Sequence, residues 1–135
     1  MALHTFVVCD LLPPQLKIHG LLHDAAECII GDIPKPAKTL DSSVLENEIS
    51  MAIYRQFQIN PDFDREAVHH ADVRALHGEV HSVGTVSLRD VYPVDLEAQK
   101  LVEYYQRRYL PMDCIDAYGM CPNAFIRRFY EYRGH

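Results

Sequence analysis

The stretch Gln15-Leu16-Lys17-Ile18-His19-Gly20-Leu21-Leu22-His23-Asp24-Ala25-Ala26-Glu27-Cys28-Ile29-Ile30 decides the fold class. Its apolar members Leu16, Ile18, Leu21, Leu22, Ala25, Ala26, Ile29 and Ile30 recur at helical spacing on several sides, which predicts a central, buried helix over residues 15–30. Gly31 is the predicted terminator, because the residue past a last helical turn commonly adopts a left-handed backbone. The run Gly31-Asp32-Ile33-Pro34-Lys35-Pro36 cannot prolong the helix. Each proline lacks an amide donor and steers its predecessor away from helical angles, so an ordered loop is expected.

Working outward, Leu3, Phe6, Val7 and Leu11 predict a short helix over residues 2–12, closed by Pro13-Pro14. Downstream, Asp41 or Ser42 can cap a helix reaching about Phe57, with Glu46 near the capping-box position and an apolar stripe of Val44, Leu45, Ile49, Ala52 and Ile53. A further helix should start near Asp62 or Asp64, after Pro61, and run to about His81. Residues 84–93 read as a loop. Val94, Leu101, Val102, Tyr105 and Tyr109 suggest another helix, and residues 122–133 a last one with Ala124, Phe125, Phe129 and Tyr132 facing inward. No strand pattern, internal repeat or linker competes, so the expectation is an all-α single domain over residues 1–135, a bundle of about five to seven helices.

The 135 residues suffice for one core. Charged residues at 24% and apolar ones at 48% exclude a disordered or fibrous chain. A formal charge of −6 offers no general attraction to nucleic-acid polymers or anionic lipid, so any phosphate must be captured locally. Cys9, Cys28, Cys114 and Cys121 lack the close pairing of a zinc knuckle and are expected as reduced thiols. The N-terminus has no basic leader, Asp10 interrupts its apolar residues, and no apolar run approaches the roughly 20 residues that span a bilayer. The cytoplasm, of the source cell or of a host, is the expected compartment.

The densest cluster of reactive side chains falls where apolarity is highest, in Leu21-Leu22-His23-Asp24-Ala25-Ala26-Glu27. On a helix His23 and Glu27 stand four apart and Asp24 and Glu27 three apart, so all three would project from one surface. Imidazole nitrogen with carboxylate oxygen suits borderline divalent metals. Further candidates are His4 upstream and Asp72, within His69-His70-Ala71-Asp72-Val73-Arg74-Ala75-Leu76. Glu79 lies seven residues after Asp72, two turns along the same face. His69-His70 reads as polar face and spacer, and His19, His77 and His81 as structural or surface residues. Arg107, Arg108, Arg127 and Arg128 read as a solvated face, and the C-terminal aromatics as core or subunit contact.

These positions resemble the HD-domain phosphohydrolases, whose signature is an upstream His, an adjacent His-Asp pair and a later Asp, matched here by His4, His23-Asp24 and Asp72. His23-Asp24-Ala25-Ala26-Glu27 followed by Gly31-Asp32-Ile33-Pro34-Lys35-Pro36-Ala37-Lys38 is similar to the branch containing bacterial 5′-deoxynucleotidases and phage dNTP triphosphohydrolases. The resemblance covers about residues 2–80. It implies an HD-type helical bundle in which His4, His23, Asp24 and Asp72 ligate one divalent transition metal, Zn, Co, Mn, Fe or Ni. Glu27 and Asp32 would be the catalytic carboxylates, and Lys35 and Lys38 would bind substrate phosphate.

The activity so implied is hydrolysis of a phosphate bond in a small nucleotide, as a 5′-nucleotidase or a dNTP triphosphohydrolase, by a protein that forms dimers or larger homo-oligomers. A cyclic-nucleotide or alarmone hydrolase is a wider alternative. A degenerate module that binds metal, nucleotide or a protein without turnover is another, set against the presence of both Glu27 and Asp32. Relatives carry a segment ahead of the first ligand His with a substrate-binding Arg, whereas His4 is the fourth residue here. Either the start lies further upstream, or an oligomeric neighbour or Arg74 supplies that charge, or substrate recognition differs.

Overall fold

The computed structural model describes residues 2–31, 37, 39–83, 89–109 and 114–134. Among them every regular element is helical: α1 (Ala2–Asp10), a 3-10 turn (Pro14–Leu16), α2 (Lys17–Leu22), α3 (Glu27–Ile30), α4 (Leu40–Phe57), α5 (Arg65–Val83), α6 (Leu96–Tyr109) and α7 (Cys114–Arg133). The all-α architecture expected from the periodicity is therefore present. The chain divides into two compact units, one made of residues 1–21 and 64–135 and the other of residues 22–63.

In the first unit α1 packs against α5, α6 and α7. Phe6, Val7, Val8 and Cys9 are all at most 1% exposed. Four consecutive residues point in directions about 100° apart and leave no wider gap around a helix, so α1 is covered on every side. That overturns the expectation that residues 15–30 supply the central helix. Phe6 meets Tyr105 and Tyr109 of α6, ring centres 5.6 and 6.3 Å apart. Beside it lies a polar knot: Tyr105 donates its hydroxyl hydrogen to Asp10 at the end of α1. From α7 the Arg128 guanidinium sits 4.4 Å from the Phe6 ring centre, its Nη1 reaching the Tyr132 hydroxyl at 3.2 Å and Asp10 at 3.4 Å. Arg128 thus faces the core and does not join a solvated face. Burial pushes the Cys9 thiol up to about 12, leaving it neutral and unreactive at physiological pH.

The predicted helix over residues 15–30 is broken. Residues 23–26 form a turn, with Ala25 N–H bonded to Leu22 O at 3.0 Å and Glu27 N–H to Asp24 O at 3.1 Å. These three-residue spacings tighten the chain before α3 begins. Gly31 does terminate α3, with φ +80° and its N–H on Glu27 O at 2.8 Å.

In the second unit α4 is capped by Thr39, not Asp41 or Ser42: Ser42 N–H donates to Thr39 Oγ1 at 3.2 Å and Thr39 N–H to Ser42 Oγ at 3.0 Å, a reciprocal box in which Ser42 takes the place proposed for Glu46. The expected stripe is not the buried face, since Val44 and Leu45 are about half exposed while Tyr54 is buried. Tyr54 meets Phe63 edge-on at 5.9 Å, and Ile59 N–H closes the end of α4 on Tyr54 O at 2.8 Å.

Asp64 caps α5 by accepting Ala67 N–H at 2.9 Å, as the sequence suggested. Asp95 caps α6 through Ala98 N–H at 3.0 Å. Pro122 lies inside α7, so this helix starts earlier than expected and carries the cost of the missing donor, about 3 kcal/mol.

Ala71, Ala75 and Gly78 form one buried stripe of α5 at i, i+4 and i+7. A Cβ on Gly78 would stand 2.6 Å from the Ala98 carbonyl carbon and 2.8 Å from Gln99 N, both backbone atoms of α6. A Cβ on Gly20 would meet the end of the Leu12 side chain, which can swing aside. Gly78→Ala should therefore lose about 1–3 kcal/mol in urea unfolding despite the gain in helix propensity, and Gly20→Ala distinctly less. Equal losses, or none at Gly78, would mean that close α5–α6 approach is not what sets this position.

Candidate metal and phosphate site

His4 is on the first turns of α1 and Asp72 on α5, both in the first unit. His4 Nε2 is 2.9 Å from Asp72 Oδ1 although the two are 68 residues apart in sequence. The other ring nitrogen, Nδ1, is 3.2 Å from Glu79 Oε1. Asp72 and Glu79 stand two turns apart on α5, so one helical face presents both carboxylates to one imidazole. His69, 73% exposed, approaches Asp72 only to 3.9 Å. Burial by itself would lower the His4 pKa, but hydrogen bonds to Asp72 and Glu79 outweigh it and push it up to about 9.

His23 and Asp24 belong to the second unit. His23 Nε2 is 3.1 Å from Asp24 Oδ2, with the His23 side chain only 10% exposed. Adjacent residues on a straight helix do not face each other, so this contact depends on the turn over residues 23–26. The expectation that His23, Asp24 and Glu27 share a helical face is corrected accordingly: Glu27 opens α3, and the pair precedes it in the turn. Asp32, Lys35 and Lys38 lie outside the described residues.

Arg74, one of the alternatives for supplying charge to the substrate, is committed elsewhere. Its Nε is 2.6 Å from Asp95 Oδ2 and its Nη2 is 2.6 Å from Glu97 Oε2, which ties α5 to the start of α6. Those carboxylates raise its pKa, and Arg74 in return holds the Asp95 carboxyl below its ordinary range.

Each unit thus contains one imidazole–carboxylate pair. Two ligands at right angles on bonds of about 2.1 Å lie about 3.0 Å apart, and at the tetrahedral angle about 3.4 Å. The separations of 2.9 and 3.1 Å, ordinary hydrogen-bond distances, are also close to the former, so each pair taken by itself has a spacing that a six-coordinate divalent cation could accept. Glu79 is outside the HD-domain signature that the sequence resembles; the signal for it in the sequence was its seven-residue spacing from Asp72.

No model of a known protein family matches the chain. No solved structure matches it either. Over 133 residues it is 30% identical to the uncharacterized protein YfdR of Escherichia coli (strain K12), an alignment taking in 97% of this chain and 70% of that protein.

His4 carries a pH signature in the metal-free chain. Its folded pKa, raised from 6.5 to about 9, means a contribution to stability fully present below pH 6.5 and lost as pH rises through about 9. Urea unfolding with chelator present should therefore show wild type exceeding His4→Ala by more at about pH 6 than at about pH 10, a change of at most about 3 kcal/mol. A gap that ignores pH would show that the charge on His4 does not hold α1 to α5.

Proposed function

We propose that this chain, which belongs to the same family as the uncharacterized protein YfdR of Escherichia coli (strain K12), is a divalent-metal-dependent phosphohydrolase of small nucleotides, in the manner of the HD-domain enzymes it resembles. The observation that carries the reading is the pairing of His4 with Asp72 across 68 residues, because these are two of the four positions named by the signature. The His23–Asp24 contact, made from the other two, supports it. Together His4, His23, Asp24 and Asp72 would hold one cation of the Zn, Co, Mn, Fe or Ni class.

When bound, such a cation supplies Lewis acidity, lowering the pKa of water from about 15.7 towards 7 and polarising a phosphoryl oxygen. The chain's residues supply the rest. The Glu27 carboxylate, at the first position of α3, accepts a proton from the attacking water and orients it. Asp32, next in sequence after Gly31, passes a proton to the leaving oxygen or contacts the sugar. Lys35 and Lys38 neutralise substrate phosphate as compact point charges. With Arg74 tied to Asp95 and Glu97, those two lysines are the cations this reading assigns to the substrate. The favoured substrates are deoxynucleotides, giving a nucleoside with phosphate from a monophosphate or with polyphosphate from a dNTP. Assembly into dimers or larger homo-oligomers, as the resemblance to HD-domain enzymes implies, is part of the same reading.

The test is release of phosphate and nucleoside from a panel of dNMPs and dNTPs with Mn, Co, Ni, Fe or Zn supplied. Wild type should turn over at least one of them, and Asp24→Ala or Glu27→Gln should fall by about 100-fold or more. Turnover unchanged in both variants would sink the mechanism. No turnover by wild type with any metal would favour a binding module in place of an enzyme.

A further inference from the structure

His4 is gripped at both ring nitrogens, Nε2 at 2.9 Å from Asp72 and Nδ1 at 3.2 Å from Glu79. The two nitrogens of an imidazole point in well-separated directions, so a carboxylate at each prevents rotation about the ring's own axis. A neutral imidazole has one N–H to give and one lone pair to offer, and a ligand must aim the lone pair at the cation. Asp72 cannot select which nitrogen that is, because it faces Nε2, the side where its own oxygen would share the cation. Glu79 can. It sits two turns further along α5, contacts Nδ1, and its side chain is 30% exposed, enclosed enough to hold one geometry.

We propose that Glu79 is a positioning residue: its carboxylate accepts the Nδ1–H of His4, fixes that tautomer, and so presents the Nε2 lone pair beside Asp72 to the metal. This inference rests on the reading of His4 and Asp72 as ligands and goes beyond it, since Glu79 belongs to no part of the signature. A carboxylate behind a ligating imidazole orients the ring and raises its basicity, and losing such a partner typically weakens metal binding 10–100-fold. Glu79 touches neither substrate nor cation in this arrangement. Its contribution passes through His4 alone.

Titration of Co(II) into the full chain, with Glu79→Ala, Glu79→Gln and Asp72→Ala alongside wild type, separates the possibilities. Glu79→Ala should weaken Co(II) about 10–100-fold while keeping the wild-type ligand-field spectrum, because the ligands are unchanged. Glu79→Gln should recover part of that loss, since its amide oxygen still accepts Nδ1–H. Asp72→Ala should change the spectrum itself. In the Zn(II)-loaded wild type, nitrogen-15 shifts should show His4 protonated at Nδ1 and metallated at Nε2, the tautomer this arrangement requires, so that the reverse assignment overturns it even if a variant does not fold. Wild-type Co(II) affinity in Glu79→Ala, or a metallated Nδ1, overturns the role of Glu79 and leaves the metal site standing. Wild type that takes up neither Co(II) nor Zn(II) overturns the site, and the role of Glu79 with it.

Discussion

Phe6, Val7, Val8 and Cys9 are withdrawn from water together, and a helix apolar on every side has to be enclosed by other helices. Enclosure of α1 by α5, α6 and α7 follows from that demand, and so does the placing of His4. Two residues before the buried run, His4 is carried against the face of α5 that holds Asp72 and Glu79. The close packing of α5 on α6 through Gly78 serves the same end, because an α5 pushed outward would withdraw both carboxylates.

The polar groups around α1 follow one rule: a charge drawn from water is met by a partner. Asp10 is answered by Tyr105 and Arg128, and Arg74 by Asp95 and Glu97. Such pairs return little net stability, since desolvation opposes the attraction, but breaking one leaves a stranded charge. They fix which helix lies beside which. The His4 triad differs in kind: hydrogen bonds to two carboxylates push the imidazole pKa up to about 9, and the proposed divalent cation would take the place of one of its protons.

The turn at residues 23–26 has a comparable role in the second unit. Continuous helix would have kept His23 and Asp24 about 100° apart around the axis, whereas the tightened turn brings them to 3.1 Å. The break occurs inside the most helix-like stretch of the sequence. Its cost in helical hydrogen bonds is met by the three-residue bonds of Ala25 and Glu27.

Much was legible in the residues themselves. Apolar spacing gave helices throughout, Asp64 and Gly31 marked their ends, the clustering of reactive groups in apolar surroundings singled out His23, Asp24 and Glu27, and the resemblance to the HD-domain signature joined His4 and Asp72 to the His-Asp pair. These are local properties: propensity, capping chemistry and periodicity act within one or two turns. What they could not specify was which helix is central, that the chain breaks at His23, that Arg128 and Arg74 are internal ties, or that Glu79 reaches His4. Apart from the break at His23, these depend on groups distant in the chain, such as Asp10 with Arg128, 118 positions apart, or His4 with Asp72, 68 apart. A side chain's partner is chosen by the packing that surrounds it, and the one-dimensional pattern records only that a partner is needed.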